Sequence, residues 1–175
     1  RLVSWKASHD IGQKGFSLDY LKKLIELVEN HSRVFLSVEG EIPEQLEKYK
    51  LPIDPTEIHS ILYYAELFVG EGATMASECA VLGTPSVYVN SLSAGSLENQ
   101  EKENLIHMFN STDGVIEKVE EILKNDNYKT EQKIMRDKAL EKKVDVNKFM
   151  EWFILNYPNS YEKIKENPSF QYKIE

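Results

Sequence analysis

The segment Gly70-Glu71-Gly72-Ala73-Thr74-Met75-Ala76-Ser77-Glu78 constrains this chain more than any other, because of what flanks it. Leu67-Phe68-Val69 precedes it, and Gly83-Thr84-Pro85 leads on to a second apolar run, Val87-Tyr88-Val89. A short apolar run, a glycine turn, a stretch of small helix-compatible residues and another apolar run read as a β-α-β unit. Two parallel strands joined by a helix put the glycine turn at the helix N-terminus. Backbone N–H groups without helical partners and the positive end of the helix dipole make that position an anion site. A phosphorylated ligand is expected there.

The rest of the chain extends the same alternation. Strand-like runs are expected at residues 2–7, 34–38, 51–53 and 106–109, besides the two around the glycine turn. Between them, Ser17 caps a helix with Leu18, Leu21, Leu24, Ile25 and Val28 on one face, and a short helix covers residues 43–49. Asp54-Pro55-Thr56-Glu57 is a helix start with an N-cap Asp, Pro at the first position and a capping-box Glu. Asp113 is expected to cap a helix that turns Val115, Ile116, Val119, Ile122 and Leu123 inward. Residues 90–104 read as a polar loop. A charged helix follows near residues 131–142, and an aromatic one runs over 145–157. Strands that are continuously apolar, separated by helices, indicate a parallel sheet buried on both faces. The fold class is therefore α/β: a Rossmann-like parallel sheet with helices on both faces, followed by C-terminal helices. The expected organisation is a ligand-binding domain over 1–144, with an aromatic helix and tail over 145–175 packing on it or on a domain outside this chain.

Composition removes several classes of function. A chain of 175 residues suffices for one domain with a real core. A net charge of −8 argues against nucleic acid as a partner. No run reaches the length of a membrane span. The single cysteine excludes an internal disulfide and fits a reducing, cytoplasmic location. The opening residues are mixed and charged, so no signal peptide is expected. The start at Arg1 rather than Met suggests a domain cut from a longer protein.

In parallel sheets ligands lie beyond the carboxyl ends of the strands. That selects three loops: residues 8–15, with His9 and Asp10; residues 70–74; and residues 90–96, with Asn90 and Ser91. The third position of a Gly-x-Gly-x-x-Gly fingerprint is Met75, the unit comes late in the chain, and the next strand ends at Asn90 rather than an acid. A dinucleotide fingerprint is excluded on those grounds, and no P-loop motif is present. Gly72, Ala73 and Thr74 remain as phosphate donors through their amides. Glu78 stands about one turn into the helix, and helical side chains lean toward the N-terminus, so its carboxylate reaches the same mouth. A carboxylate accepts hydrogen bonds from a vicinal diol such as a ribose. The other reading of Glu78 is a surface acid favoured by the helix dipole. His9 is a candidate acid/base or phosphate donor, with Asp10 beside it. His59, inside a helix, reads as structural or partner-facing, and Cys79 as a small buried thiol. The histidines and carboxylates give no metal-ligand spacing.

The run from Gly70 through Glu78 to Pro85 resembles the nucleotide-binding signature of the C-terminal domain of GT-B-fold proteins. It is similar to UDP-N-acetylglucosamine 2-epimerases and to the N-acetylglucosaminyltransferase that makes lipid II. The closer resemblance is to a prokaryotic family, domain of unknown function 354. Ser8-His9-Asp10-Ile11-Gly12, Ile58-His59-Ser60 through Tyr64, and Asp145-Val146 through Asn156-Tyr157-Pro158 also belong to that resemblance.

The resemblance implies the C-terminal half of a GT-B fold that binds a UDP-type nucleotide sugar as substrate, with no further cofactor or metal. Gly72, Ala73 and Thr74 would hold the diphosphate and Glu78 the ribose. Glu71, Asn90 and Ser91 would stand at the edge of the ligand loop, and His9 and Asp10 would be the catalytic candidates. Retaining transferases of this class carry two Glu with one more intervening residue than the six between Glu71 and Glu78. That shift favours the epimerase-like register and weakens a sugar contact by Glu71. The epimerases also show Asp-Ser-Gly-Gly where this chain has Glu71-Gly72-Ala73-Thr74. The implied role is the donor-binding half of a glycosyltransferase or sugar-nucleotide epimerase of surface polysaccharide (lipopolysaccharide or capsule) biosynthesis, inactive without an N-terminal domain, with a homodimer as an open option. The alternative is a non-catalytic nucleotide-binding or interaction domain of Rossmann-like fold.

Overall fold

Three short strands form the heart of a parallel sheet: β1 (Phe68–Gly70), β2 (Ser86–Val89) and β3 (His107–Phe109). Their register places Val69 opposite Val87 and Tyr88 opposite Met108. The computed structural model describes residues 1–2, 16–92 and 95–174. Beyond β1 the sheet continues through single bridges. The Arg1 nitrogen donates to the Val69 carbonyl at 2.8 Å, and the Glu71 N–H returns to the Arg1 carbonyl at 3.2 Å. Leu2 bridges Val38 and Leu36 bridges Lys50, both parallel. Across the sheet the chain segments therefore run Lys50, residues 36–38, residues 1–2, β1, β2, β3. That is the 3-2-1-4-5-6 order of doubly wound α/β folds. The expected third strand at 51–53 reduces to the bridge at Lys50, and residues 3–7 of the expected first strand lie outside the described residues.

Close approach of Arg1 explains Gly70. A Cβ there would lie 2.8 Å from the Arg1 Cβ and 2.9 Å from its carbonyl oxygen, a separation no side chain tolerates.

The helices are α1 (Leu18–Glu29), α2 (Ile58–Tyr64), α3 (Ala73–Leu82), α4 (Gly95–Lys102), α5 (Val115–Lys124) and α6 (Tyr128–Leu140). Ser17 caps α1 by accepting the Tyr20 N–H, and Leu21, Leu24 and Ile25 are its buried face. On one side of the sheet Leu24, Val87, Val89, Val115, Val119 and Ile122 form a core cluster, so α1 and α5 pack there together. Burying each such side chain is worth about 1.5–3 kcal/mol. Strand alternation turns Tyr88 to the opposite side. There α3 presents Ala76, Cys79 and Ala80, all fully buried, whose small size lets the helix lie close to the strands. Gly83 ends α3 at φ +76°, with its N–H on the Ala80 carbonyl, the left-handed exit that glycine allows at no steric cost.

Three local expectations are corrected. Residues 90–104 are not all loop, since α4 occupies Gly95–Lys102; with Leu97 as its buried apolar residue, it carries almost no periodic signal. Asp113 does not cap α5. Gly114, at φ +79°, holds that position with no side-chain bond, while the Asp113 carboxylate accepts from the Ser111 hydroxyl at 3.0 Å. Asp54 caps a 3₁₀ turn (Pro55–Glu57) rather than α2 itself, and the short helix at Glu44–Tyr49 is also 3₁₀.

The chain divides into two compact units, Arg1–Asp137 and Lys138–Glu175. The second contains α7 (Val146–Leu155), α8 (Asn159–Glu166) and a 3₁₀ turn, Pro168–Lys173. Asp145 caps α7 by accepting the Lys148 N–H at 3.1 Å. Phe149 stacks on Phe153 at 5.7 Å, and Trp152 meets Phe170 at 5.4 Å. The Ser160 hydroxyl donates to the Phe153 carbonyl, joining α8 to α7. Val146, Ile154, Leu155 and Tyr157 remain exposed. Among the described residues no helix is long and apolar enough to cross a membrane.

Candidate functional site

The sheet order reverses direction between residues 1–2 and β1, and the crevice outside the carboxyl ends of those strands is where ligands sit in such folds. The turn Glu71-Gly72 stands there. Gly72, extended at φ −89°, is the N-cap of α3, and the Ala76 N–H makes a helical bond to the Gly72 carbonyl. The amides of Ala73, Thr74 and Met75 therefore precede the hydrogen-bonded turns and point outward. Among the described residues no side chain caps this helix end.

A cavity of about 600 Å³ runs from this helix end along the outer face of α3. Ala73, Thr74, Ser77 and Glu78 line it from α3, His59 from α2, and Ser96 and Leu97 from α4. Two of the phosphate candidates, Ala73 and Thr74, thus share one concavity with the ribose candidate Glu78. His59 Nε2 lies 3.5 Å from the Glu78 carboxylate, and the two side chains keep 62% and 32% of their surface. A pair so exposed contributes little to stability, so it leaves Glu78 open to exchange for another hydrogen-bond donor. Gln100 donates to the Ser77 hydroxyl at 2.9 Å and braces α4 against α3.

The remaining site candidates distribute differently. Glu71 is buried, with its carboxylate accepting the Phe16 N–H at 2.5 Å. It anchors the entry to α1, where a negative charge also suits the helix dipole. Asn90 joins two carboxyl-end loops: its amide donates to the Glu71 carbonyl at 3.1 Å, and its oxygen accepts the Leu92 N–H at 2.9 Å. Ser91 is exposed beside it. His9 and Asp10 lie outside the described residues. Cys79 is buried, and burial pushes its thiol up to about 12, which removes it as a nucleophile at neutral pH. Among the described residues no cluster of His, Cys, Asp and Glu could hold a metal ion.

His59 and Ser77 are the polar cavity residues that sequence reasoning did not assign to the site; Val81, Leu82 and Leu97 add apolar wall. The sequence signals for His59 are its place in a helix and in the Ile58-His59-Ser60 segment of the family resemblance, and neither points to the cavity. Its meeting with Glu78 depends on how α2 lies against α3, which the buried Thr84 hydroxyl secures by donating to the Leu62 carbonyl at 2.7 Å.

A sequence family described as "Protein of unknown function (DUF354)" matches residues 14–157. The chain belongs to this family. The match covers the glycine turn, α3, both flanking strands and the helices through α7. No curated protein matches the sequence. Among solved structures the chain is similar to the glycotransferase of kitacinnamycin, at 15% identity and a TM-score of 0.47, over 78% of this chain. It spans 37% of that structure's length.

Proposed function

We propose that this domain binds a nucleoside diphosphate sugar, of UDP type, as the donor half of a GT-B glycosyltransferase or sugar-nucleotide epimerase. The observation that carries the proposal is the shared cavity at the start of α3, where outward amides and the Glu78 carboxylate face one space. In this reading the diphosphate takes the amides of Gly72, Ala73 and Thr74 and the Thr74 hydroxyl, and the helix dipole offsets its charge. The ribose diol donates to Glu78 in place of His59. The His59 imidazole, displaced from Glu78, donates a hydrogen bond to the phosphate instead. Among the described residues the cavity lining carries no Lys or Arg; in this reading this half alone binds weakly and the chemistry falls in a cleft with a second domain. The assignment to surface polysaccharide biosynthesis and to a GT-B architecture rests on the sequence resemblance of the glycine turn.

Titration of the protein with UDP, UDP-N-acetylglucosamine, CMP and NAD, read by calorimetry or amide chemical shifts, tests this. UDP compounds are expected to perturb Gly72, Ala73 and Thr74, with NAD silent. Glu78→Ala is expected to weaken UDP binding by roughly 10- to 100-fold, the worth of a hydrogen bond to a charged group, and to leave thermal stability unchanged. No nucleotide response, or equal affinity in the variant, would overturn the proposal.

A further inference from the structure

Residue 71 is where the backbone leaves the sheet. In a parallel ladder a residue turns its N–H and its C=O to the same neighbouring strand. The Glu71 N–H still obeys the ladder and donates to the Arg1 carbonyl at 3.2 Å. A regular strand would send the Glu71 carbonyl the same way. It goes instead to the other side, accepting from the Asn90 amide at 3.1 Å just beyond the end of β2. The Glu71–Gly72 peptide is therefore rotated out of the ladder. That rotation also aims Gly72. The bond is trans, and in a planar trans peptide N–H and C=O point in opposite directions. With the carbonyl on Asn90, the Gly72 N–H turns away from β2, toward the crevice between residues 1–2 and β1. This N–H has no hydrogen-bond partner among the described residues.

Asn90 is itself held in place. Its backbone N–H donates to the Phe109 carbonyl at 2.9 Å, at the end of β3, and its side-chain oxygen accepts the Leu92 N–H at 2.9 Å. The hydroxyl of buried Tyr88 donates to the Leu92 carbonyl at 3.1 Å and closes that loop. Both flanks of the rotated peptide are fixed as well. The Glu71 carboxylate accepts the Phe16 N–H, and the Ala76 N–H closes α3 onto the Gly72 carbonyl at 3.1 Å. Between fixed flanks the peptide can reverse only by a coupled change of Glu71 ψ and Gly72 φ. Gly72 stands at φ −89°, a value open to any residue. The reversed peptide carries it to positive φ, which glycine reaches without steric cost.

With the glycine turn read as a diphosphate site, on which this rests, we propose that Asn90 is a positioning residue for phosphate binding. Its amide keeps the Glu71–Gly72 peptide from reversing. Reversal withdraws the Gly72 donor and turns the Glu71 carbonyl oxygen, which repels an anion, into the crevice. Asn90 thus acts on the ligand through a peptide it holds and not by touching it. The end of β2, tied to β3 through the Phe109 carbonyl, thereby sets the polarity of the turn that follows β1.

The N–H residual dipolar coupling at position 72, measured by NMR without ligand, reports the direction of the peptide. Asn90→Ser keeps an acceptor for the Leu92 N–H but is too short to reach the Glu71 carbonyl. Asn90→Asp keeps the shape and removes the donor. Both are expected to change the coupling. Asn90→Ser is also expected to weaken binding of UDP and of inorganic pyrophosphate by about tenfold, the low end for one hydrogen bond to a charged group. Gly72→Ala disfavours the reversed peptide, so in that background Asn90→Ser is expected to cost less than about twofold, a non-additivity that mere loss of packing does not produce. An unchanged coupling in both Asn90 variants would overturn the proposal, and so would a changed coupling with UDP affinity intact. If the unsubstituted protein binds neither UDP nor pyrophosphate, the nucleotide reading fails by itself, and the coupling still decides whether Asn90 holds the peptide.

Discussion

His107 illustrates how much a single side chain's surroundings decide. Its Nε2 lies 2.6 Å from the Tyr128 hydroxyl, and both groups are partly buried where β3 meets the start of α6. Burial, followed by the charge of Lys118, lowers the imidazole below its ordinary value of 6.5. The neutral ring, hydrogen-bonded to Tyr128, is therefore the folded form. In the unfolded chain His107 takes up a proton at its ordinary value, so between that value and the lower folded one the unfolded state holds more protons. Stability is then complete above 6.5 and falls as pH drops through that window. Urea unfolding is expected to show a lower midpoint at about pH 5.5 than at about pH 7. His107→Gln is expected to flatten that difference.

At the scale of elements, polar anchors locate helices that apolar periodicity does not. The buried Thr84 hydroxyl, at the entry to β2, donates to the last turn of α2. Thr84→Val removes the donor at nearly constant volume and leaves the Leu62 carbonyl with only the longer 3.3 Å bond from the Ala65 N–H. It is expected to cost about 1–3 kcal/mol of unfolding free energy and to loosen α2, carrying His59 away from Glu78. Denaturant unfolding gives the first, and loss of the His59 chemical-shift response to Glu78→Gln the second. Helix α6 depends on the same device: buried Gln132 donates to the Leu105 carbonyl at 2.8 Å, and Arg136 to the Val81 carbonyl at 3.1 Å. A charged sequence with few apolar residues becomes an ordered helix because its long polar side chains reach carbonyls that strands and helix ends leave open.

At the scale of the molecule, two units meet along the chain at Asp137 and Lys138. Exposed residues 141–143, with Lys142 and Lys143, follow α6 and precede the Asp145 cap of α7. Exposed backbone outside helices is where proteases cut first. Limited trypsin digestion is expected to cleave at Lys142 or Lys143 before any lysine within α1, α5 or α6, and to leave a fragment carrying the whole glycine-turn cavity. Early cleavage inside those helices would contradict this division.

Local features of this protein were legible residue by residue because their causes lie within a few bonds. Ser17 and Asp145 cap helices, Gly83 permits a left-handed exit, and the apolar runs 67–69 and 87–89 mark strands by composition alone. The β-α-β unit and the outward-pointing amides at the start of α3 follow from the same short-range chemistry. Only tertiary packing could decide the rest. Glu71 and Glu78 look alike in sequence, yet one is buried on the Phe16 N–H and the other opens to a cavity beside His59. Gly70 needs to be glycine because Arg1 crosses it, and α4 is held by buried Leu97 together with the bonds of Gln100 to Ser77 and of Glu101 to the Met108 N–H. In each case the deciding partner is remote along the chain, so burial and hydrogen-bond satisfaction are set by neighbours that local pattern does not encode.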